Sequence, residues 1–558
     1  MDNVLPAVGQ SSLLLSFDLI ATVPSSSGAM PFARVQEVLS VPDLPDTYAA
    51  LDTRGVIWLI EDGEALETPL LDLRTAGIGF TDAGAEAGLR SFAFHPDFAN
   101  EGTDGYGKIY VAYSASVASH PDDVPLFEAD GASNIVFHDV ISEFTVSDPA
   151  NPVIDSSTER ELFRVEQPFG NHNFGQMRFR PDAEPGDDDY GLLYLGIGDG
   201  GSGNDPLNAG EDLSQILGKI LRIDPLDPGG DETYSIPTDN PFTDTTGALP
   251  EIYAYGFRNP QSLSWLGDIM FAGDIGQNAV EELDIVFAGG NYGWDDREGS
   301  FLAGGGALPA NDADLGYQYP FTQYDHEEIP TGGEGIFGGF AYQGSDIPGL
   351  EGQLLFANFP TGEVFVVSLD DLSTIIADGL VASDEYVAPL RVTIIGEDGE
   401  ETTFLDFEGT GNPGNGRVDL RFALTDDGEI LVFSKQTGNI YQLTSAADDE
   451  LSGTAQGEII RAGAGDDLVD AGAGNDTIYG GIGSDTLIGG DGNDLIIGDD
   501  GGNLIYGDSA PAAAASTAAQ IPASSTPQPS LPETLPEAPN AEESPLPFEP
   551  LTLEIPLF

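Results

Sequence analysis

The chain has no cysteine, and among its 558 residues only 18 are Lys or Arg against 95 Asp or Glu. Without a thiol there is no disulfide frame, no thiolate metal site and no cysteine nucleophile. A formal charge of −77 repels phosphate backbones, which excludes nucleic acid and anionic membrane surfaces as partners and favours cations. The acidity is not a tail effect: residues 462–558 hold 16 acids and no base, which leaves 61 net negative charges on the rest. Any anion this protein binds must find its cations among Lys108, Lys219, Lys435 and fifteen arginines. No apolar run reaches the roughly 18 residues of a membrane span. Leu13, Leu14 and Leu15 are followed by Asp18, and no base precedes Arg34, so the basic start of a secretory signal is missing and export is expected to use another route.

Long amphipathic helical periodicity is nearly absent as well, and strands fill its place. A glycine followed by a short apolar, aromatic-rich run occurs at Gly55, Gly107, Gly191, Gly267, Gly352 and Gly428, at spacings of 52, 84, 76, 85 and 76 residues. Each reads as a turn that releases a buried strand. Six irregular repeats of four-stranded size predict an all-β, six-bladed β-propeller over residues 31–445, after an N-terminal segment of residues 1–30. A large β-sandwich or two smaller β domains would also accommodate the pattern.

A sharper repeat follows. From residue 461 a nonapeptide Gly-x-Gly-(Asn/Asp)-Asp-x-(Leu/Ile) places Asp467, Asp476, Asp485 and Asp494 nine residues apart, with Glu458 and Asn503 in phase at the ends. Glycines permit tight left-handed turns, and phased carboxylates from neighbouring turns can surround Ca²⁺ with hard oxygen ligands. This resembles the RTX parallel β-roll and assigns residues 446–508 to it. Few large apolar residues and many like charges imply that the roll folds only with Ca²⁺. Residues 509–558 are rich in Ala, Ser, Thr, Pro and Glu, the composition of a disordered linker, and close on Leu551-Thr-Leu-Glu-Ile-Pro-Leu-Phe558. The RTX resemblance implies type I secretion machinery reading an uncleaved C-terminal signal, and hence an extracellular protein.

In the propeller region, polar groups sit in glycine-rich loops: Gly170-Asn-His-Asn-Phe-Gly-Gln176, Leu195-Gly-Ile-Gly-Asp-Gly-Gly201, Tyr255-Gly-Phe-Arg-Asn-Pro-Gln261, Gly273-Asp-Ile-Gly-Gln-Asn278 and Gly289-Gly-Asn-Tyr-Gly-Trp294. A neutral His172 could take the proton of a sugar hydroxyl, with a carboxylate such as Asp199 fixing its tautomer. A lone loop histidine is as readily structural. Together with Phe92-Ala-Phe-His-Pro-Asp-Phe98, the series resembles, in order and over about 400 residues, the soluble quinoprotein glucose/sorbosone dehydrogenase family.

The resemblance implies a calcium-dependent enzyme that uses pyrroloquinoline quinone (PQQ) to oxidise a sugar or sugar alcohol, with an external electron acceptor. His172 then matches the general base, Asp199 its partner and Arg258 the cation beside the quinone. Asn259, Gln261, Arg417 and Arg421 match cofactor ligands, Asn171 and His326 line the substrate side, and the backbone of Gly276 and Gln277 holds Ca²⁺. His326, in Tyr324-Asp-His-Glu-Glu, is the rival base. One departure is plain: where classical members carry a cofactor-contacting lysine, Ala357-Asn-Phe-Pro-Thr-Gly362 offers none. That gap favours a rival from another class, a non-catalytic calcium-binding propeller acting as an adhesin or carbohydrate-binding protein.

Overall fold

The computed structural model describes residues 5–507 apart from 85, 122–123, 231, 304–305, 310–311, 327–334, 378, 384, 397–398, 409–416 and 499–500. The linker and the terminal apolar stretch expected at 509–558 lie outside the described residues.

All six repeat glycines adopt positive φ, from 59° at Gly267 to 97° at Gly55, a region where a Cβ is strained. Gly55 turns the chain into Val56–Glu61, the third strand of its sheet, and the other five turn it into second strands: Lys108–Ala115, Leu193–Ile197, Ile269–Asp274, Gln353–Asn358 and Ile430–Ser434. These strands are buried along nearly their whole length, which is why they read as unbroken apolar runs instead of alternating ones: both faces pack against neighbouring sheets. The result is an all-β body of propeller-like antiparallel sheets.

Two of the sheets have four strands, running in chain order from Phe174–Phe179 to Ile252–Tyr255 and from Pro260–Leu266 to Thr322–Asp325. Two others carry short extra strands, and a nine-stranded sheet spans the remainder. Gly9–Thr22 joins that last sheet together: it pairs antiparallel with Asn439–Ser445 and parallel with Leu390–Ile395. Residues from the first thirty are thus built into the main body. The first strands Val35–Ser40, Leu89–Phe94, Phe174–Phe179, Pro260–Leu266, Ile336–Ala341 and Leu420–Leu424 touch one another in a closed ring. Their N-terminal ends, and the loops leading into them, meet around one mouth of that ring. Between adjacent sheets lie continuous apolar layers, such as Tyr110, Phe163, Phe174, Met177, Leu195 and Leu221; truncating one such side chain to Ala costs about 2–5 kcal/mol.

The nonapeptides form a β-solenoid in which nine residues make half a coil. Leu468–Asp470 pairs in parallel with Thr486–Ile488, and Ile459–Arg461 with Thr477–Tyr479, each 18 residues on. Leu451, Ile460, Val469, Ile478 and Leu487 fill the space between the two sheets. The carboxylates therefore stack at 18-residue steps on two sides, Asp467 under Asp485 and Asp476 under Asp494, and do not form the single nine-residue ladder that the sequence spacing suggests. The coil follows the main body directly: Ala446 donates its N–H to Leu14 O at 2.8 Å and Ala464 to Ser445 O at 2.8 Å. Among the described residues no helix is long and apolar enough to cross a membrane.

Candidate active site

His172 lies in the loop entering Phe174–Phe179, with φ of 57°. A Cβ on Gly198 would stand 2.5 Å from the His172 carbonyl oxygen, so glycine is required where the Leu193–Ile197 strand runs out beside it. That close approach brings Asp199, which is buried, to 2.7 Å between its Oδ1 and His172 Nδ1. An ionised carboxylate only accepts, so Nδ1 carries the proton and Nε2 keeps a lone pair. Asp199 accepts two more bonds, from the Gly201 N–H at 2.9 Å and, on Oδ2, from Trp294 Nε1–H at 2.9 Å. Its own N–H donates to the Arg258 carbonyl at 2.8 Å. Asn171, half-buried, precedes the histidine on the same loop.

Arg258 is buried, its guanidinium 5.5 Å from the centre of the Trp294 ring. Nη1 donates to the carbonyls of Ile275 at 2.6 Å and Gly276 at 2.7 Å, while Nε is buried with no partner. The backbone N–H groups of Arg258 and Asn259 donate to Asp274 at 2.8 and 2.5 Å, which fixes the turn. From it Gln261 bridges Asn259 Oδ1 at 2.8 Å and Arg90 Nη2 at 3.1 Å.

Next to this assembly, at the N-terminal ends of the first strands, a cavity of about 520 Å³ is lined by Arg34, Arg90, Arg417, Arg421 and Lys435, with only Glu86 and Asp419 opposing them among the described residues. Five of the chain's 18 basic residues thus converge on one cavity. Arg421 is held against Phe359 and Phe337, at 4.4 and 4.6 Å, and its Nε has no partner. Burial lowers its pKa to about 10. Burial, with Arg421 and Arg90 nearby, also pushes the Lys435 ammonium well below its ordinary range. Arg417 pairs with Asp419 at 2.7 Å. His172, Asp199 and Arg258 do not line this cavity themselves. Gln261 and Ile275 do, and Glu86 on its wall accepts the Asn173 N–H at 3.4 Å.

Arg34, Arg90 and Lys435 are functional candidates that sequence reasoning missed. Phe359 occupies the cavity wall within the stretch that lacks a lysine, and a lysine reaches the cavity instead from Ser434-Lys435-Gln436, five strands later. The only available signal was the scarcity of bases: a lysine at the end of an apolar strand in so acidic a chain is unusual.

His326 forms a second imidazole–carboxylate pair, its Nε2 2.8 Å from Glu281 Oε1; Glu281 Oε2 takes the N–H groups of Gly276 and Ile336, each at 3.1 Å. The nitrogen at ion-pair distance from a carboxylate is thus Nε2 in His326, whereas in His172 the hydrogen-bonded nitrogen is Nδ1. His95 accepts the Asp97 N–H and is structural.

Three groups of oxygens bear on metals. The Gly276 carbonyl faces the Arg258 guanidinium, and the Gln277 side chain bonds Asn204, so a cation at those carbonyls requires Arg258 to move away. One strand pair away, Asp274, Glu282 and Asp284 bring ligand oxygens within 4.8 Å of one another. Burial raises all three, Asp274 to about 7 with Asp199 adding to the rise, while repulsion from Asp274 adds to it for Glu282 and Asp284. In the roll, Asp467 and Asp476 each keep a buried Oδ2 without a partner, and burial with the nearby Asp485 and Asp449 raises Asp467 to about 7. Such oxygens suit a hard divalent cation.

A ring of antiparallel sheets that gathers a His–carboxylate dyad and a cationic cavity near one mouth defines a propeller-like scaffold with a candidate ligand site. The chain belongs to the glucose/sorbosone dehydrogenase family, whose model matches residues 38–408; the RTX calcium-binding nonapeptide repeat matches residues 452–487 and 479–510. Among curated relatives, HIPL1 protein of Arabidopsis thaliana is 31% identical over 49% of this chain and 43% of its own. Hedgehog-interacting protein of Homo sapiens is 31% identical over 38% of this chain and 27% of its own. Aldose sugar dehydrogenase YliI of Escherichia coli is 28% identical over 45% of this chain and 57% of its own. The match thus covers less than two thirds of each relative.

Proposed function

We propose that the protein is a secreted, PQQ-dependent dehydrogenase that oxidises a sugar or sugar alcohol and passes the electrons to an external acceptor. The observation that carries this reading is the cationic cavity beside the His172–Asp199 dyad. In a chain of −77, five convergent bases outnumber the two carboxylates that line the cavity among the described residues, and a ligand bearing three carboxylates matches the excess, even though Arg90 also bonds the Phe174 carbonyl and Arg421 that of Leu420. The orphaned Nε groups of Arg258 and Arg421 are donors such a ligand would satisfy.

In this reading Arg90, Arg421 and Lys435 hold the carboxylates, with Arg34 and Arg417 at the rim, while Gln261, Asn259 and Arg258 form the side towards the dyad. When bound, the quinone supplies the two-electron acceptor for the substrate's carbinol carbon. His172 Nε2 accepts the hydroxyl proton. Asp199 holds Nδ1–H and stabilises the imidazolium that results, and Asn171 contacts the substrate. Calcium belongs to the roll at Asp467, Asp476, Asp485 and Asp494. At Gly276 and Gln277 it fits only if Arg258 releases the Gly276 carbonyl, so no step is routed through it. The closed ring of first strands supports counting six blades, with the nine-stranded sheet as two blades joined by Gly9–Thr22.

The rival reading, a binding propeller without catalysis, draws support from a relative named for an interaction and not for a reaction. Reconstitution with PQQ and Ca²⁺, followed by dye reduction over a panel of aldoses and polyols, separates the two. The dehydrogenase reduces dye with at least one of them; a protein that retains the quinone but reduces no dye belongs to the rival class.

A further inference from the structure

Trp294 touches both halves of the candidate site. Its Nε1–H donates to Asp199 Oδ2 at 2.9 Å, and its ring lies 5.5 Å from the Arg258 guanidinium. It is almost fully buried, at 3% exposure, so neither contact competes with water. Its place is set by backbone bonds, Trp294 N–H to Gly256 O at 2.9 Å and Arg297 N–H to Gly293 O at 2.7 Å. A Cβ on Gly210 would stand 2.4 Å from the Trp294 carbonyl oxygen, so the neighbouring loop closes tightly over this segment.

The consequence follows from Asp199's bonding. One carboxylate serves three donors: His172 Nδ1–H and the Gly201 N–H on Oδ1, and the indole on Oδ2. The indole fixes the carboxylate's rotation, so that Oδ1 faces the imidazole. It also draws off negative charge, which lowers the pull of Asp199 on the histidine proton. We propose that Trp294 is a positioning residue that sets the basicity of His172 through Asp199 and ties the dyad to the Arg258 side of the site. The proposal rests on the dehydrogenase reading for its catalytic consequence but not for its electrostatic one. Removing a hydrogen bond from the ionised form of Asp199 concentrates charge on the bond to His172, so the imidazolium is stabilised and its pKa rises.

The groups facing His172 and Asp199 are the Gly201 and Trp294 donors, the backbone of Gly198 and Arg258, Glu86 across the loop through Asn173, and the carboxyls of Asp205, Asp274 and Asp295, which interact electrostatically with Asp199. None of the others changes in a Trp294→Phe variant, which keeps an aromatic ring, removes the indole N–H and gives up the volume of the fused ring. The chain has five histidines and three tryptophans, so selective ¹⁵N labelling resolves both partners in the full-length protein. Without any quinone present, W294F is expected to raise the His172 pKa by about 0.5–1 unit relative to wild type. In reconstituted enzyme the acid limb of the kcat/KM profile moves up by the same amount, kcat falls about tenfold and quinone retention stays within about twofold.

If W294F does not fold, the wild-type protein gives the same answer. The Trp294 indole ¹H–¹⁵N signal is expected to sit downfield and to move with the His172 titration. A His172 pKa in W294F within 0.2 units of wild type, or an indole signal that ignores the titration, overturns the proposal. Because both readings need no cofactor, an inactive wild-type protein would refute the dehydrogenase assignment and leave this test standing.

Discussion

At the scale of single residues, the decisive question is what His172 does that His326 does not. His172 bonds its carboxylate through Nδ1 and keeps Nε2 for a substrate, whereas His326 has Nε2 at ion-pair distance from Glu281. His172→Ala is therefore expected to cut turnover by about 10²–10⁴-fold while leaving quinone retention unchanged, checked by dye reduction alongside quinone absorbance. Activity within about threefold of wild type, against that same scale, would hand the role to His326. The pairing of His172 with Asp199 was legible because both sit in glycine-flanked turns at strand ends. Trp294, in a stretch the sequence reading quoted, was not, since nothing in Gly-Asn-Tyr-Gly-Trp says that the indole reaches a carboxylate 95 residues away.

Lys435 gives the sign of a second residue-scale effect. Burial and two neighbouring cations depress its pKa in the ligand-free protein. An anionic ligand removes that penalty and raises it again, so binding takes up protons and tightens as pH falls through the alkaline range below the ordinary lysine value. Calorimetry of quinone binding in buffers of different ionisation enthalpy should register net proton uptake, lost in Lys435→Met.

At the scale of elements, the turn glycines and the nonapeptides were readable for opposite reasons. A buried strand needs only an apolar run and a release point, so six sequence-visible glycines mark six buried inner strands, five of them second in their sheets and one third. The order in which sheets share an edge depends on pairings hundreds of residues apart, such as Gly9–Thr22 with Asn439–Ser445, and no local pattern announces them. In the roll the spacing was right and the stacking was not: with two strands per coil, neighbours in the nine-residue phase lie on opposite sides. Each side must then gather its own ions, Asp467 with Asp485 and Asp476 with Asp494.

The raised pKa of Asp467, about 7, fixes the pH behaviour of the roll in chelator. The folded form binds more protons than the unfolded one between its ordinary value of 3.8 and about 7. This contribution is therefore complete below the lower value and is lost as pH rises through the upper one. Circular dichroism in chelator should show more roll structure near pH 5 than near pH 8, and Ca²⁺ should restore it at the higher pH. A roll equally folded at both without calcium would contradict the coupling.

At the scale of the whole molecule, the roll is fastened to the main body at a buried acidic pair. Arg461, the only base after Lys435, stacks on Tyr479 at 4.0 Å and donates its N–H to Asp346 at 3.3 Å. Burial and the adjacent Glu429 raise Asp346 to about 8, and the Arg461 charge opposes that rise. Deleting residues 446–558 removes this cation and the strand-edge bonds of Ala446 and Ala464. The main body should still fold and reduce dye, since its sheets and cavity close without the roll, but melt about 2–6 °C lower. Loss of all dye reduction in a folded truncation would show that the roll belongs to the catalytic unit. The same deletion removes the stretch read as an export signal, and truncated protein that still reached the medium would contradict that reading.

The central claim is that five bases in an otherwise acidic molecule exist to hold a quinone tricarboxylate beside a histidine base. Equilibrium dialysis of PQQ against the full-length protein, wild type and the Arg421→Met, Lys435→Met double variant, tests it most directly. The account predicts one quinone retained per wild-type chain and a loss of affinity of at least about 100-fold in the double variant, since each removed charge-assisted bond contributes about 1.5–3 kcal/mol. Quinone that stays free in solution with wild-type protein, or that binds the variant equally well, would contradict it.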